Sequence, residues 1–137
     1  HEVACCLMHN RNNTEYKDFM SDLVWDLNES VKLAKQAGIA EDKMILDPGI
    51  GFAKDYTQNL TAIRNVGKVV ELGYPVLLGT SRKSVIGFTL DLPSDKRLEG
   101  TLVTTVVAVQ NGCSFVRVHD VKENYRAIQM TKAIYRG

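Results

Sequence analysis

The stretch Met44-Ile45-Leu46-Asp47-Pro48-Gly49-Ile50-Gly51-Phe52 runs from a short apolar segment of β type into an acidic residue and a glycine-rich turn. A segment of helical period follows from about Gln58 to Leu72 and stops at Gly73, so the whole reads as strand, loop and helix. Upstream, Val3 to Met8 reads as a strand. A helix is expected from about Glu15 to Ala37, where Phe19, Leu23, Leu27, Val31 and Ala34 recur at helical spacing before Gly38. Downstream, Pro75 to Thr80 is a third strand opened by its proline, with a helix expected over about Asp95 to Val109 before Asn111-Gly112. Phe115 to Val118 is the fourth strand, and a last helix begins at Val121, with Asp120 and Glu123 spaced as a capping box.

Four strand–helix units in succession, with strands apolar almost throughout, predict an α/β fold whose parallel sheet is covered on both faces. They form a single domain over residues 1–137 with no linker. Four such units fit a small doubly wound sheet or half of an eight-stranded barrel, whose complete form takes about 250 residues. Period and composition leave both open.

A chain that is 45% hydrophobic and 24% charged has the makeup of one soluble globular unit with a substantial core. Its net charge of +1, without a long basic run, gives no reason to expect nucleic acid or a membrane surface as partner. Cys5, Cys6 and Cys113 lack metal-ligand spacing, so buried reduced thiols and a cytoplasmic location are expected. No apolar stretch approaches the roughly 20 residues that span a bilayer. The chain opens on His1 without a basic-then-apolar leader, which is expected from processing, truncation or further chain upstream.

In either architecture chemistry gathers where strands end, and all four junctions are loaded: His9-Asn10-Arg11-Asn12, Asp47 with its turn, Thr80-Ser81-Arg82-Lys83-Ser84, and Arg117 with His119. Arg117 and His119 lie two apart on a strand and so project from one face, with Val116 and Val118 facing the helices. A guanidinium in an apolar strand needs a carboxylate or an anionic ligand. The carboxylate reading is an internal salt bridge to Asp47 or Asp120; the ligand reading is phosphate or diphosphate, aided by the N-terminus of the helix that follows. Asp47, stiffened by Pro48, can accept two hydrogen bonds from an amino-pyrimidinone edge such as that of a pterin or guanine, or can simply cap its turn. Phe52 is core packing or a lid over a flat ligand. Lys83 is a ligand contact or part of a surface charge run, and His9 is a strand terminator or a ligand contact. Gly49 and Gly51 match neither the dinucleotide fingerprint nor the phosphate loop, and neither a Ser-His-Asp set nor a metal-ligand cluster is evident.

Taken together, Leu7-Met8-His9, the 44–52 stretch, Gly79-Thr80-Ser81-Arg82-Lys83-Ser84, Arg97-Leu98-Glu99-Gly100-Thr101 and Arg117-Val118-His119-Asp120-Val121 resemble, in order, the later motifs of the dihydropteroate synthase family. The resemblance implies a TIM (β/α)8 barrel of which this chain supplies strands five to eight and their helices. It implies that Asp47, Lys83 and Arg117 bind the pterin, that Arg117 and His119 hold the diphosphate, and that Phe52 and Ser84 border the p-aminobenzoate pocket. Lys83, Arg117 and His119 are then the catalytic set. The implied partners are a pterin diphosphate, p-aminobenzoate, sulfonamides as competitors, and a second copy in a homodimer. Mg²⁺ is implied with ligands mostly outside this chain.

The chain departs from the family at Ala53, where glycine is usual, and at Asn10-Arg11-Asn12, where Met-Arg-Gly-like residues are usual. Since half the site is missing, these residues alone are not expected to turn over substrate. The alternatives are a pterin-dependent methyltransferase and a non-catalytic synthase-like half. Ser81-Arg82-Lys83-Ser84 and Arg117-Val118-His119 oppose the first, because methyl transfer releases no diphosphate. Intact Asp47, Lys83, Arg117 and His119 oppose the second.

Overall fold

The computed structural model describes residues 2–136; His1 and Gly137, the outer ends of the expected domain, lie outside the described residues. Strands β1 (Cys5–Met8), β2 (Met44–Asp47), β3 (Leu77–Leu78) and β4 (Phe115–Val116) alternate with helices. β1 pairs with β2 in parallel, Leu7 opposite Leu46 and Met8 opposite Asp47. β3 pairs with β4 in parallel. A parallel bridge between Leu46 and Val76 joins the pairs, so the strands stand side by side in chain order, as staves of a barrel do.

The pleat sorts the side chains. Met44, Leu46, Val76 and Leu78 face the helices and are fully buried in one core with Leu23, Leu27 and Val31 of α1 (Phe19–Gln36) and with Val66 and Val69. Cys6, Met8, Asp47 and Phe115 belong to the opposite, concave face. There Met8 is 38% exposed and Phe115 47%. The expectation of a sheet covered on both faces is therefore corrected: helices cover one face, and the other is open. The expectation of buried thiols is corrected as well, and for Cys6 by the same open face. Cys6 is exposed on the concave face, Cys5 and Cys113 are half-buried, and all three are free.

The helices differ from their expected spans where a local device overrides periodicity. α1 begins at Phe19 rather than Glu15, because Tyr16 is drawn away to hydrogen-bond the Ala53 carbonyl and to pack edge-on against Phe19. Its end matches expectation: Gly38, at φ +89°, donates to Lys35 O while Ile39 donates to Ala34 O, the paired bonds of a Schellman cap. The second expected helix starts earlier, at Tyr56, behind a reciprocal Asp55–Gln58 capping box. It also breaks at Asn65 into α2 (Tyr56–Arg64) and α3 (Val66–Val70).

α4 (Ser84–Leu90) was not expected at all. Its Val85-Ile86-Gly87 core has poor helix propensity, and it is held by packing against α5 (Leu98–Gln110). A side chain at Gly100 would strike Ile86, and one at Gly87 would strike the Arg97 guanidinium. α6 (Val121–Arg136) starts where expected, without the expected capping box. The Asp120 carboxylate takes Arg82 Nη2 at 3.0 Å instead, while Thr105 of α5 anchors Asn124 inside the helix interface at 2.6 Å.

Candidate active site

The loops after the four strands gather at one end of the sheet. Asp47 closes β2 with its side chain 4% exposed. One oxygen accepts the Gly49 amide at 2.8 Å, which is the turn-capping role, and the other faces Arg117 Nη2 at 3.6 Å, which is the ion-pair role. The carboxylate thus caps its turn and faces the arginine at once. Arg117, one residue past β4, reaches β2 by crossing β3 at Gly79, where an added Cβ would lie 2.8 Å from Nη2. A larger residue there would oblige the guanidinium to shift from this path. The arginine side chain is 59% exposed, so an approaching ligand meets the guanidinium before the carboxylate.

Lys83 joins from the β3 loop. Its ammonium donates to Ile50 O at 2.7 Å and lies 5.3 Å from the centroid of the Phe52 ring, a cation–π distance. Burial lowers its pKa below the usual lysine value; Asp47 raises it and Arg117 lowers it further. A half-buried ammonium and a guanidinium near one carboxylate leave a local excess of positive charge.

His119 stands on the same side. Ser81 Oγ accepts its backbone amide at 3.1 Å and lies 2.7 Å from Nδ1. Ser81 thus fixes the orientation of the imidazole through both the backbone and the ring of His119. α6 begins two residues later. Phe52 is 40% exposed. Ser84 heads α4 and borders a cleft with Phe88, Leu92 and Arg97 that does not include Phe52.

His9 turns away from this group. Its residue is 3% exposed on the helix side, with Nε2 2.8 Å from Asp26 and Nδ1 2.9 Å from Lys54. Burial lowers its pKa, Lys54 lowers it further, and Asp26 opposes both.

Three supports were not legible in advance. Gly79 clears the arginine's path. Arg97 braces the loop that carries Lys83, donating to the carbonyls of Arg82 at 2.8 Å and Leu92 at 2.9 Å. Thr101 accepts the Arg82 amide, which helps to hold Arg82 at a left-handed φ of +58°. The Arg97–Thr101 motif is thus a brace for the Ser81–Ser84 loop. Among the described residues, no group of three or more His, Cys, Asp or Glu side chains is placed to hold a metal, and no helix is long and apolar enough to cross a membrane.

Residues 1–119 match the family described as Pterin binding enzyme. The chain is 57% identical to the dihydropteroate synthase of Clostridium beijerinckii over 137 residues, covering 99% of this chain and 51% of that protein. Among solved structures, a dihydropteroate synthase from Clostridium difficile, determined in the presence of pteroic acid, superposes with a TM-score of 0.95 at 47% identity, covering 99% of this chain and 52% of that one. The Yersinia pestis dihydropteroate synthase in complex with a sulfonamide drug gives 0.94 at 32% identity, covering 98% and 52%. The chain therefore spans about half the length of these relatives, and its parallel staves are half of their TIM barrel.

Proposed function

The chain belongs to the pterin-binding enzyme family, and from that premise we propose that it supplies the later half of the active site of a dihydropteroate synthase. The observation that carries this reading is the meeting of Asp47, Lys83 and Arg117 at one end of one sheet, with Gly79 left open for the arginine. In the reaction, the C–O bond between the pterin methylene and the diphosphate breaks, and the amine nitrogen of p-aminobenzoate forms the new C–N bond and releases a proton. The arylamine is nucleophilic while neutral, so the protein's main task is to stabilise the departing negative charge and to align the two substrates.

Asp47 takes the pterin's amino-pyrimidinone edge, for which Arg117 gives up its place beside the carboxylate. Arg117, His119 and the first turn of α6 hold the diphosphate, and Lys83 stands between the pterin and the arylamine. Phe52 and Ser84 border the p-aminobenzoate side, where sulfonamides compete. The Mg²⁺ implied by the family would take its ligands from the other half of the barrel, because the described residues bring together no group of three or more His, Cys, Asp or Glu side chains that could hold it. The free cysteines support a cytoplasmic protein. The exposed Val103, Tyr125, Met130 and Ile134 on α5 and α6 support a homodimer built on those helices.

The test is turnover by the completed barrel. Arg117→Ala is expected to lower dihydropteroate formation by about 10²-fold, as loss of a charge-stabilising donor does. Unchanged turnover would remove the diphosphate role.

A further inference from the structure

Lys54 follows the glycine-rich loop and points away from the concave face, yet its residue is only 8% exposed. An ammonium has three N–H donors and no acceptor, and Lys54 matches all three: Gly49 O at 3.0 Å, Phe52 O at 2.9 Å and His9 Nδ1 at 2.9 Å. Because Nδ1 accepts, the neutral His9 ring carries its proton on Nε2, which donates to Asp26 Oδ2 at 2.8 Å. Asp26 is clasped in turn by Arg11, at 2.6 and 3.0 Å. Arg11 lies 4.5 Å from the Tyr16 ring centroid, and the Tyr16 hydroxyl donates to Ala53 O at 2.9 Å. The carbonyls of Gly49, Phe52 and Ala53 are thus all held from the helix side.

On its other side the same loop meets Lys83, through the Ile50 carbonyl and the Phe52 ring. Gly49, at φ +72°, admits the His9 carbonyl where a side chain would collide with it. The loop is a plate between two lysines. Burying Lys54 lowers its pKa to about 8, and an apolar side chain would fill the space without that expense. Packing alone therefore does not account for a lysine here.

We propose that Lys54 is a positioning residue whose ammonium, seated on the neutral ring of His9, fixes the Gly49–Phe52 turn and so sets the arylamine side of the site without touching ligand. The substrate part of this proposal rests on the synthase reading; the role in the loop does not. Its expected signature is selective. The Asp47 carboxylate is oriented through the Gly49 amide, which belongs to a different peptide unit from the Gly49 carbonyl that Lys54 holds.

Hydrogen exchange on the 137-residue chain tests the loop. Lys54→Met is expected to speed exchange of the Phe52 amide, which is bonded to Gly49 O, by about tenfold (~1.4 kcal/mol), while amides of β2 and β3 keep their protection. Unchanged Phe52 exchange would overturn the proposal. Should Lys54→Met fail to fold, Lys54→Gln, which keeps two donors and loses the charge, is read the same way. In the completed barrel, Lys54→Met is expected to raise the KM for p-aminobenzoate about tenfold, with kcat and the KM for pterin diphosphate within about threefold of the parent. Equal changes in both KM values, or none, would overturn the arylamine assignment. A parent enzyme that makes no dihydropteroate would sink the synthase reading alone, and exchange would still decide the role of Lys54.

Discussion

The two faces of the sheet differ in completeness. On the helix side Leu46 and Leu78 are sealed in the core, and the buried His9 and Lys54 have their hydrogen bonds met. On the concave side Met8 and Phe115 are open, and Arg117 stands more than half exposed beside a sheltered Asp47. Stability and chemistry have thus been assigned to opposite faces. This half of the molecule can be folded by the first face and still be unfinished at the second.

The largest effect expected from that division is on turnover. The 137-residue chain alone should form no dihydropteroate in a coupled assay, and measurable product would erase the distinction between a finished and an unfinished face. Core truncation comes next. Leu46→Ala should lower the unfolding free energy by about 2–5 kcal/mol, whereas Phe115→Ala on the concave face should stay within about 0.5 kcal/mol. Denaturant melts of the two variants measure the contrast directly, and equal losses would mean that the concave face is also packed.

The sequence made these faces legible to different degrees. Alternation within the strands sorted Arg117 from Val116 correctly, and the apolar repeat of α1 named Leu23, Leu27, Val31 and Ala34, all of which are buried. Asp47, Lys83 and Arg117 could be nominated because polar residues at the ends of apolar strands are conspicuous. Most of what escaped depended on contacts across the chain. α4 is a helix because Gly87 and Gly100 admit close neighbours, not because of its own propensities. Lys54 carries no local signal of its role, because its partner His9 lies 45 positions earlier in the chain. Asp55-x-x-Gln58 was a local capping signal that periodicity alone passed over.

A titration sharpens the comparison further. Lys54 should lose its proton near pH 8 by ¹³C NMR of the lysine side chains. Its folded pKa lies below the unfolded value, so between about pH 8 and 10.5 the unfolded chain binds more protons and stability should rise with pH relative to Lys54→Met. A Lys54 midpoint near 10.5 would contradict burial of the charge. The smallest expected effect is at Ala53, which occupies a left-handed φ of +52° where the family usually has glycine. Ala53→Gly should stabilise the chain by about 1 kcal/mol, read as a raised denaturation midpoint; a loss would mean that the turn is unstrained.

The central claim is that Asp47, Lys83 and Arg117 form this chain's own half of a pterin diphosphate site. Calorimetric titration of 6-hydroxymethylpterin diphosphate into the 137-residue chain, and into its Arg117→Ala and Asp47→Asn variants, tests it most directly. The expected result is binding by the parent that each variant weakens by about tenfold or more, the equivalent of ~1.4 kcal/mol. Absent binding by the parent, or affinity indifferent to both substitutions, would contradict it.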